Sequence, residues 1–140
     1  MNKVNINFPK TIKVGGFICK IVTGHTFVNT DLPQMIGRFE PTSHVIQLAN
    51  TFVTDEGETV ILDVATQWAV FFHELKHAME ALLGHTTGYG RFVGETLEDA
   101  EERITDTFSE AWMTVFRDNP DLCRALGNMP EDFAKEKSGS

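Results

Sequence analysis

Hydrophobic and polar residues alternate along the first part of the chain, as they do in β-strands. The segment Thr11–Val22 is rich in β-branched residues, and a Gly-Gly pair in its middle predicts a hairpin or a bulge. Ile36–Phe39 predicts another short strand. The alternation in Ser43–Ala49 predicts a strand that has one face more buried than the other. The polar run Thr54–Glu58 is typical of a turn. This part of the chain is therefore predicted to form a small sheet.

From Thr59 onward the apolar residues recur at intervals of three and four, which predicts a helix over Thr59–Leu83. Gly84 is placed to cap its C-terminal end. After a glycine-rich loop, the same spacing predicts a second long helix over Thr96–Arg117. Thr96 is its candidate N-cap, with an acidic residue three positions later, and an Asn-Pro pair ends it.

The apolar pattern weakens after the second helix. Leu122–Leu126 predicts a final helical turn, and the polar residues beyond Pro130 predict a disordered tail over residues 131–140. The remaining length, residues 1–130, suits one domain with a single core. The order of elements predicts the α+β class, with a small N-terminal antiparallel or mixed sheet packed on two long helices.

Composition narrows the choice of partner. The chain has 140 residues and a formal net charge of −8, and its lysines and arginines form no cluster that could bind phosphates, so no nucleic-acid partner is expected. It has no run of ~20 apolar residues and no signal-peptide pattern at its start, so we expect no membrane partner and a cytoplasmic location. Cys19 and Cys123 are expected to be free thiols.

The segment His73-Glu74-Leu75-Lys76-His77 lies inside the first predicted helix. Residues four apart share a helix face, so His73 and His77 can direct two imidazoles at one metal ion. Glu74 lies beside the first histidine but is rotated around the helix, where it can act as a general base without binding the metal. Lys76 is expected to point to solvent. The HExxH pattern also arises by chance. It supports a metal site only when it lies in a helix and a third ligand is available nearby.

A catalytic zinc site usually has three protein ligands and one open position. On the second helix, Glu98 and Glu102 lie on one flank of the apolar stripe, where the small side chains of Thr105 and Ser109 allow close packing. Asp106 is placed to accept a hydrogen bond from a ligating histidine. The acidic candidates in this region are Glu95, Glu98, Glu101, Glu102, Asp106 and Glu110.

The HELKH segment, followed after 24 intervening residues by Glu102-Arg-Ile-Thr-Asp106, resembles the HExxH and ExxxD motifs of the gluzincin branch of zinc metallopeptidases. The stretch ERITDTFS also resembles segments of thermolysin-type and ImmA/IrrE-type metallopeptidases, and the size resembles short metallopeptidases encoded by phages. The resemblance implies a minimal zincin-like fold that hydrolyses a peptide bond through a metal-bound water, in the cytoplasm of a bacterial or phage-infected cell. It implies that His73, His77 and Glu102 bind Zn²⁺, that Glu74 is the base, and that Asp106 supports a ligand.

Three residues of the glycine-rich loop could contact substrate. Tyr89 or His85 could donate a hydrogen bond to an oxyanion, and Arg91 could bind a carboxylate. Alternatively, these are ordinary loop residues that have no role in catalysis. The strand Ser43–Ala49 could hold an extended substrate if it forms a sheet edge. The expected partner is a protein or peptide substrate, for instance a regulatory protein. The alternative is a non-catalytic, zinc-containing interaction or inhibitor protein of phage type.

Overall fold

The fold was analysed in a computed structural model, which describes residues 4–27, 35–83 and 94–138. It is an α+β fold, as predicted, and its described residues form a mixed four-stranded sheet, a two-stranded sheet and four helices. The strands are β1 (Thr11–Val14), β2 (Phe17–Val22), β3 (Gly37–Glu40), β4 (Val45–Leu48), β5 (Thr51–Val53) and β6 (Thr59–Ile61). The helices are α1 (Val64–Leu82), α2 (Leu97–Asp118), α3 (Pro120–Gly127) and α4 (Met129–Ser138).

The four-stranded sheet has the order β1-β2-β4-β3. The predicted hairpin around the Gly-Gly pair is confirmed: β1 and β2 pair antiparallel, and Gly15 has a φ of 62°, a left-handed conformation that glycine adopts without strain. β2 pairs parallel with β4, and β4 pairs antiparallel with β3. The expectation that the Ser43–Ala49 strand forms an edge is therefore wrong, because β4 lies between β2 and β3. The edge nearest α1 is formed by β3.

The first long helix begins later than predicted. Thr59–Ile61 forms β6, which pairs with β5 across the predicted Thr54–Glu58 turn, because the β-branched residues of this segment suit a short strand. The helix begins at Val64, after Asp63 accepts a hydrogen bond from the backbone N–H of Thr66 at 2.7 Å. α1 lies against the sheet and buries Trp68, Phe71, Leu75 and Met79 in the main core.

α2 begins and ends as the sequence predicts. Thr96 caps it by accepting from the backbone N–H of Asp99 at 3.1 Å, and the helix ends at Asp118, before Pro120. The buried Asn119 side chain then joins this helix end to β1, since it accepts from the Lys13 N–H at 2.7 Å and donates to the Lys13 carbonyl at 2.8 Å.

The C-terminal region is more ordered than predicted. The expected turn at Leu122–Leu126 is part of the longer helix α3, and most of the segment 131–140, expected to be disordered, belongs to α4 up to Ser138. α4 is held by Phe133, which packs against the core, and by Glu136, which accepts from the Val64 N–H at 2.6 Å. A single-sequence pattern misses such a helix because contacts with the rest of the chain stabilise it more than its own apolar stripe does.

Candidate metal centre

The HELKH segment lies on α1 with its charged side chains on two adjacent faces. His73 and His77 are exposed, whereas Glu74 lies on the face that packs against the sheet and is only 6% exposed. This difference follows from the core spacing of the helix, because Glu74 falls between the buried residues Phe71 and Ala78. The same helix therefore anchors the core and presents two histidines to solvent.

The two histidine rings converge. The Nε2 atoms of His73 and His77 are 3.2 Å apart, and the ring planes are inclined at 79°. Two nitrogens bound to one tetrahedral zinc ion at ~2.0–2.1 Å would be about 3.3–3.4 Å apart. The observed separation is close to that value, so the two imidazoles fit a shared metal ion. Without a metal, one Nε2–H can donate to the other Nε2.

Glu74 completes a three-residue cluster. One ligand atom from each of His73, Glu74 and His77 lies within 4.8 Å of the other two, and this is the sole cluster of its kind in the described part of the chain. Burial raises the pKa of the Glu74 carboxyl, while the charges of His73 and His77 and the backbone N–H of Phe39 act in the opposite direction. The cluster therefore combines two imidazoles that could hold a metal ion with a buried carboxyl whose pKa is raised.

A glycine on β3 allows the sheet to approach this carboxylate. A Cβ atom at Gly37 would lie 2.4 Å from Val70 Cγ1, 3.1 Å from Glu74 Cγ and 3.2 Å from Glu74 Oε2. Only a residue without a side chain can bring the strand so close to α1. Gly37 therefore places the edge strand directly beside the HELKH segment.

Glu80 lies one turn after the cluster and was missed by the sequence analysis. Its Oε2 is 3.8 Å from His77 Nδ1, and its side chain is 18% exposed. The signal was available, because residues three apart on a helix are neighbours.

The face of α1 beside the histidines packs on α2. The ring centroids of Phe72 and Trp112 are 5.6 Å apart, and the Lys76 ammonium lies 5.3 Å from the centroid of the Phe108 ring. Lys76 is exposed, as predicted, but it also lies over an aromatic face of α2. The order of these contacts shows that the two helices run in opposite directions here.

Glu102 and Asp106 are exposed on α2, and neither belongs to the three-residue cluster. In the register set by the aromatic contacts, His77 is level with about residue 107. Glu102 is about five residues further along, which corresponds to roughly 7–8 Å on the helix axis. This offset explains why Glu102 lies outside the cluster, and its role as third ligand stays a prediction. Tyr89, His85, Arg91 and the predicted cap Gly84 lie outside the described residues.

An apolar groove begins at the cluster and follows the N-terminal half of α1. Its volume is about 460 Å³ beside His73 and Glu74, and a second depression of about 290 Å³ continues to the β5–β6 hairpin. Ile36 and Thr66 line both parts. The part beside the cluster is lined by Met35, Ile36, Gly37, Thr66, Ala69, Val70, His73 and Glu74. The groove can take the side chain of a bound molecule whose polar part lies at the histidines.

In comparisons with known proteins, no family model matches the chain, and no curated protein or solved structure matches it. The likeness to gluzincins thus stays a prediction that rests on the HELKH and ERITD segments. Within residues 4–27, 35–83 and 94–138, no helix combines the length and apolar character needed to cross a bilayer.

Proposed function

We propose that the chain is a zinc-dependent peptidase whose centre is the HELKH segment of α1. The observation that carries this proposal is the geometry of the cluster: two Nε2 atoms 3.2 Å apart, with ligand atoms of the histidines and of the buried Glu74 all within 4.8 Å. A metal site that serves only stability is usually closed by four ligands and needs no carboxylate of raised pKa beside it. Two convergent imidazoles with a buried carboxyl are better suited to hydrolysis.

His73 and His77 would hold the metal through their Nε2 atoms, and Glu102 is the proposed third ligand. When bound, zinc would polarise the attacking water and the scissile carbonyl. The exposure of both histidines leaves the solvent side of the site open to a substrate. For Glu102 to bind the same metal ion as His77, α2 must shift along its axis and bring Glu102 closer to His77.

Glu74 is the residue that moves the proton in this proposal. Its carboxylate accepts a proton from the attacking water, whose oxygen forms the new bond to the peptide carbon. The same proton then passes to the peptide nitrogen as the C–N bond breaks, which yields a carboxylic acid and an amine. The second proton of the water then moves from the acid to the amine, leaving a carboxylate and an ammonium group. Burial supports both steps, because a raised pKa brings proton uptake and proton release closer in free energy near neutral pH.

The substrate in this proposal is an extended peptide lying along β3. β3 is the terminal strand of the sheet and runs beside Glu74, whose carboxylate already accepts from the Phe39 N–H. The other outward backbone groups of an edge strand can pair with a further strand. The apolar groove at Val70 and Met35 would take a hydrophobic side chain next to the scissile bond. In this proposal β3, and not the Ser43–Ala49 strand suggested by the sequence, is the sheet edge that holds the extended substrate.

The test compares Glu74→Gln with His73→Ala. Glu74→Gln keeps the size of the side chain and removes the base, so the variant should retain zinc and lose ~10²–10⁴-fold in cleavage rate. His73→Ala should lose zinc and activity together. The rates are measured on a fluorogenic peptide library with an apolar residue beside the cleaved bond, and zinc is measured by elemental analysis.

A matched control is Glu56→Gln, which changes an exposed glutamate in the turn between β5 and β6 and should leave both properties unchanged. Cleavage by Glu74→Gln at the wild-type rate would contradict the role of the base. Full biological activity of Glu74→Gln in a native host would favour the non-catalytic interaction protein instead.

A further inference from the structure

A carboxylate faces the second nitrogen of one of the two histidines. Glu80 Oε2 lies 3.8 Å from His77 Nδ1, on the side of the ring away from the His73–His77 contact at Nε2. Among the described residues, His77 is the one polar partner of this carboxylate. The Glu80 side chain is 18% exposed although it is ionisable. A mostly buried carboxylate with a single partner is unusual enough to require an account.

The neutral ring of His77 can bind a metal ion through Nε2 and donate a hydrogen bond from Nδ1 only in one tautomer. If Nε2 is to bind a metal, its lone pair must be free, and the ring proton must be on Nδ1. The Nδ1–H group is then 3.8 Å from Glu80 Oε2, which is longer than a hydrogen bond, and a shift of less than ~1 Å would let the carboxylate accept it. A cation at Nε2 makes this N–H a stronger donor, and therefore favours a closer contact with the carboxylate.

We infer that Glu80 is the positioning residue of His77, holding its ring in the tautomer and orientation in which Nε2 binds zinc. The inference rests on the metal site of the proposed function, and it assigns to Glu80 the kind of contact that the sequence suggested for Asp106. Asp106 is exposed on α2, whereas Glu80 already lies beside the ring. The i,i+3 spacing within one helix fixes the pair without help from α2.

The experiment measures zinc affinity of the purified chain by competition with a chromophoric chelator. Glu80→Ala removes the acceptor and should weaken zinc binding by ~10–100-fold. Glu80→Gln keeps a carbonyl oxygen as acceptor and should recover most of the loss. Glu56→Ala, which changes an exposed glutamate in the turn between β5 and β6, is the control and should bind zinc as the wild type does.

A second readout separates positioning from a general effect on the fold. In the metal-free chain, the ring ¹⁵N shifts of His77 should report the Nδ1–H tautomer in the wild type and in Glu80→Gln. In Glu80→Ala they should move towards the Nε2–H tautomer. The melting temperature of the metal-free variants should change little, because the core face of α1 is untouched.

The outcomes distinguish the two claims. If the wild type binds no zinc, the proposed metal site itself fails. If the wild type binds zinc and Glu80→Ala binds it equally well, the role of Glu80 is overturned and the metal site stands. If Glu80→Gln loses as much affinity as Glu80→Ala, the hydrogen-bond role of Glu80 is overturned.

Discussion

At the residue scale, Glu74 is unusual because it is an ionisable residue that is buried and also lies beside two histidines. It lies on the core-facing side of α1, where burial raises the pKa of its carboxyl, and its ligand atom is within 4.8 Å of those of two histidines. Removal of a charged carboxylate from water costs free energy, so a buried glutamate needs a reason to persist. The proposed role as a proton acceptor supplies that reason, because the same burial tunes the group for catalysis.

Asp132 provides a second buried carboxyl, far from the candidate site along the chain. It is 7% exposed on α4, and burial raises its pKa above the usual 3.8. A group whose pKa is raised by folding lowers the stability of the fold as pH rises through that pKa. Asp132→Asn removes this charge, so the variant should melt a few degrees higher than the wild type at pH 7.

The two chains should melt at similar temperatures near pH ~3, below the unfolded-state pKa of 3.8, because the Asp132 carboxyl is then mostly protonated in both the folded and the unfolded chain. Thermal unfolding followed by circular dichroism at both pH values checks this. A variant less stable than the wild type at pH 7 would show that the charged carboxylate is stabilised by its surroundings.

The residues of the candidate site differ in how far the sequence could predict them. The separation of four between His73 and His77 is local, and a helix converts it directly into a shared direction. The contact of Glu80 with His77 is local as well, because residues three apart on a helix are neighbours. The position of Glu102 relative to His77 depends on the packing of two helices, which no pattern within one helix specifies.

At the scale of elements, the site depends on the contact between β3 and α1 at Gly37. Gly37→Ala would place a methyl group 2.4 Å from Val70 Cγ1, and the branched valine has little freedom to move away. Either the strand or the helix must shift, at a cost of about 1–3 kcal/mol. The shift would also move β3 away from Glu74, so zinc-dependent cleavage should fall together with stability.

Gly16→Ala is the matched control, because a Cβ atom there has no neighbour within 4 Å. Urea denaturation should show a change within about 0.5 kcal/mol for this variant. A Gly37→Ala protein as stable and as active as Gly16→Ala would contradict the close approach of the strand to the helix.

Local signals predicted several elements correctly and missed others. The Gly-Gly pair gave the β1–β2 hairpin, and Thr96 gave the start of α2, since both depend on neighbouring residues alone. β6 was missed because a strand of three residues has no room for a recognisable period. The interior place of β4 depends on a parallel pairing with β2, about 25 residues apart, which alternation along one strand cannot reveal.

At the scale of the whole molecule, we expect zinc to stabilise the fold without being required for folding. The core face of α1 is held by residues such as Phe71 and Leu75, independently of the histidines on its exposed side. Chelation of zinc by EDTA should therefore lower the melting temperature and leave a cooperative transition. A free zinc concentration 100 times the dissociation constant corresponds to ~2.7 kcal/mol of added stability.

Calorimetry with and without zinc measures this difference. A complete loss of the folded signal on chelation would identify a structural metal, as in a zinc finger. An unchanged melting temperature would indicate that the native fold binds no metal.

The central claim is that His73 and His77 hold one zinc ion, and the most direct measurement is anomalous X-ray diffraction at the zinc edge from crystals of the purified chain. The account predicts a single anomalous peak between the two Nε2 atoms, ~2.0–2.1 Å from each. The same map would show whether Glu102 or another side chain supplies the third ligand. Absence of a peak in crystals grown with zinc, or histidine side chains turned away from each other, would contradict the account.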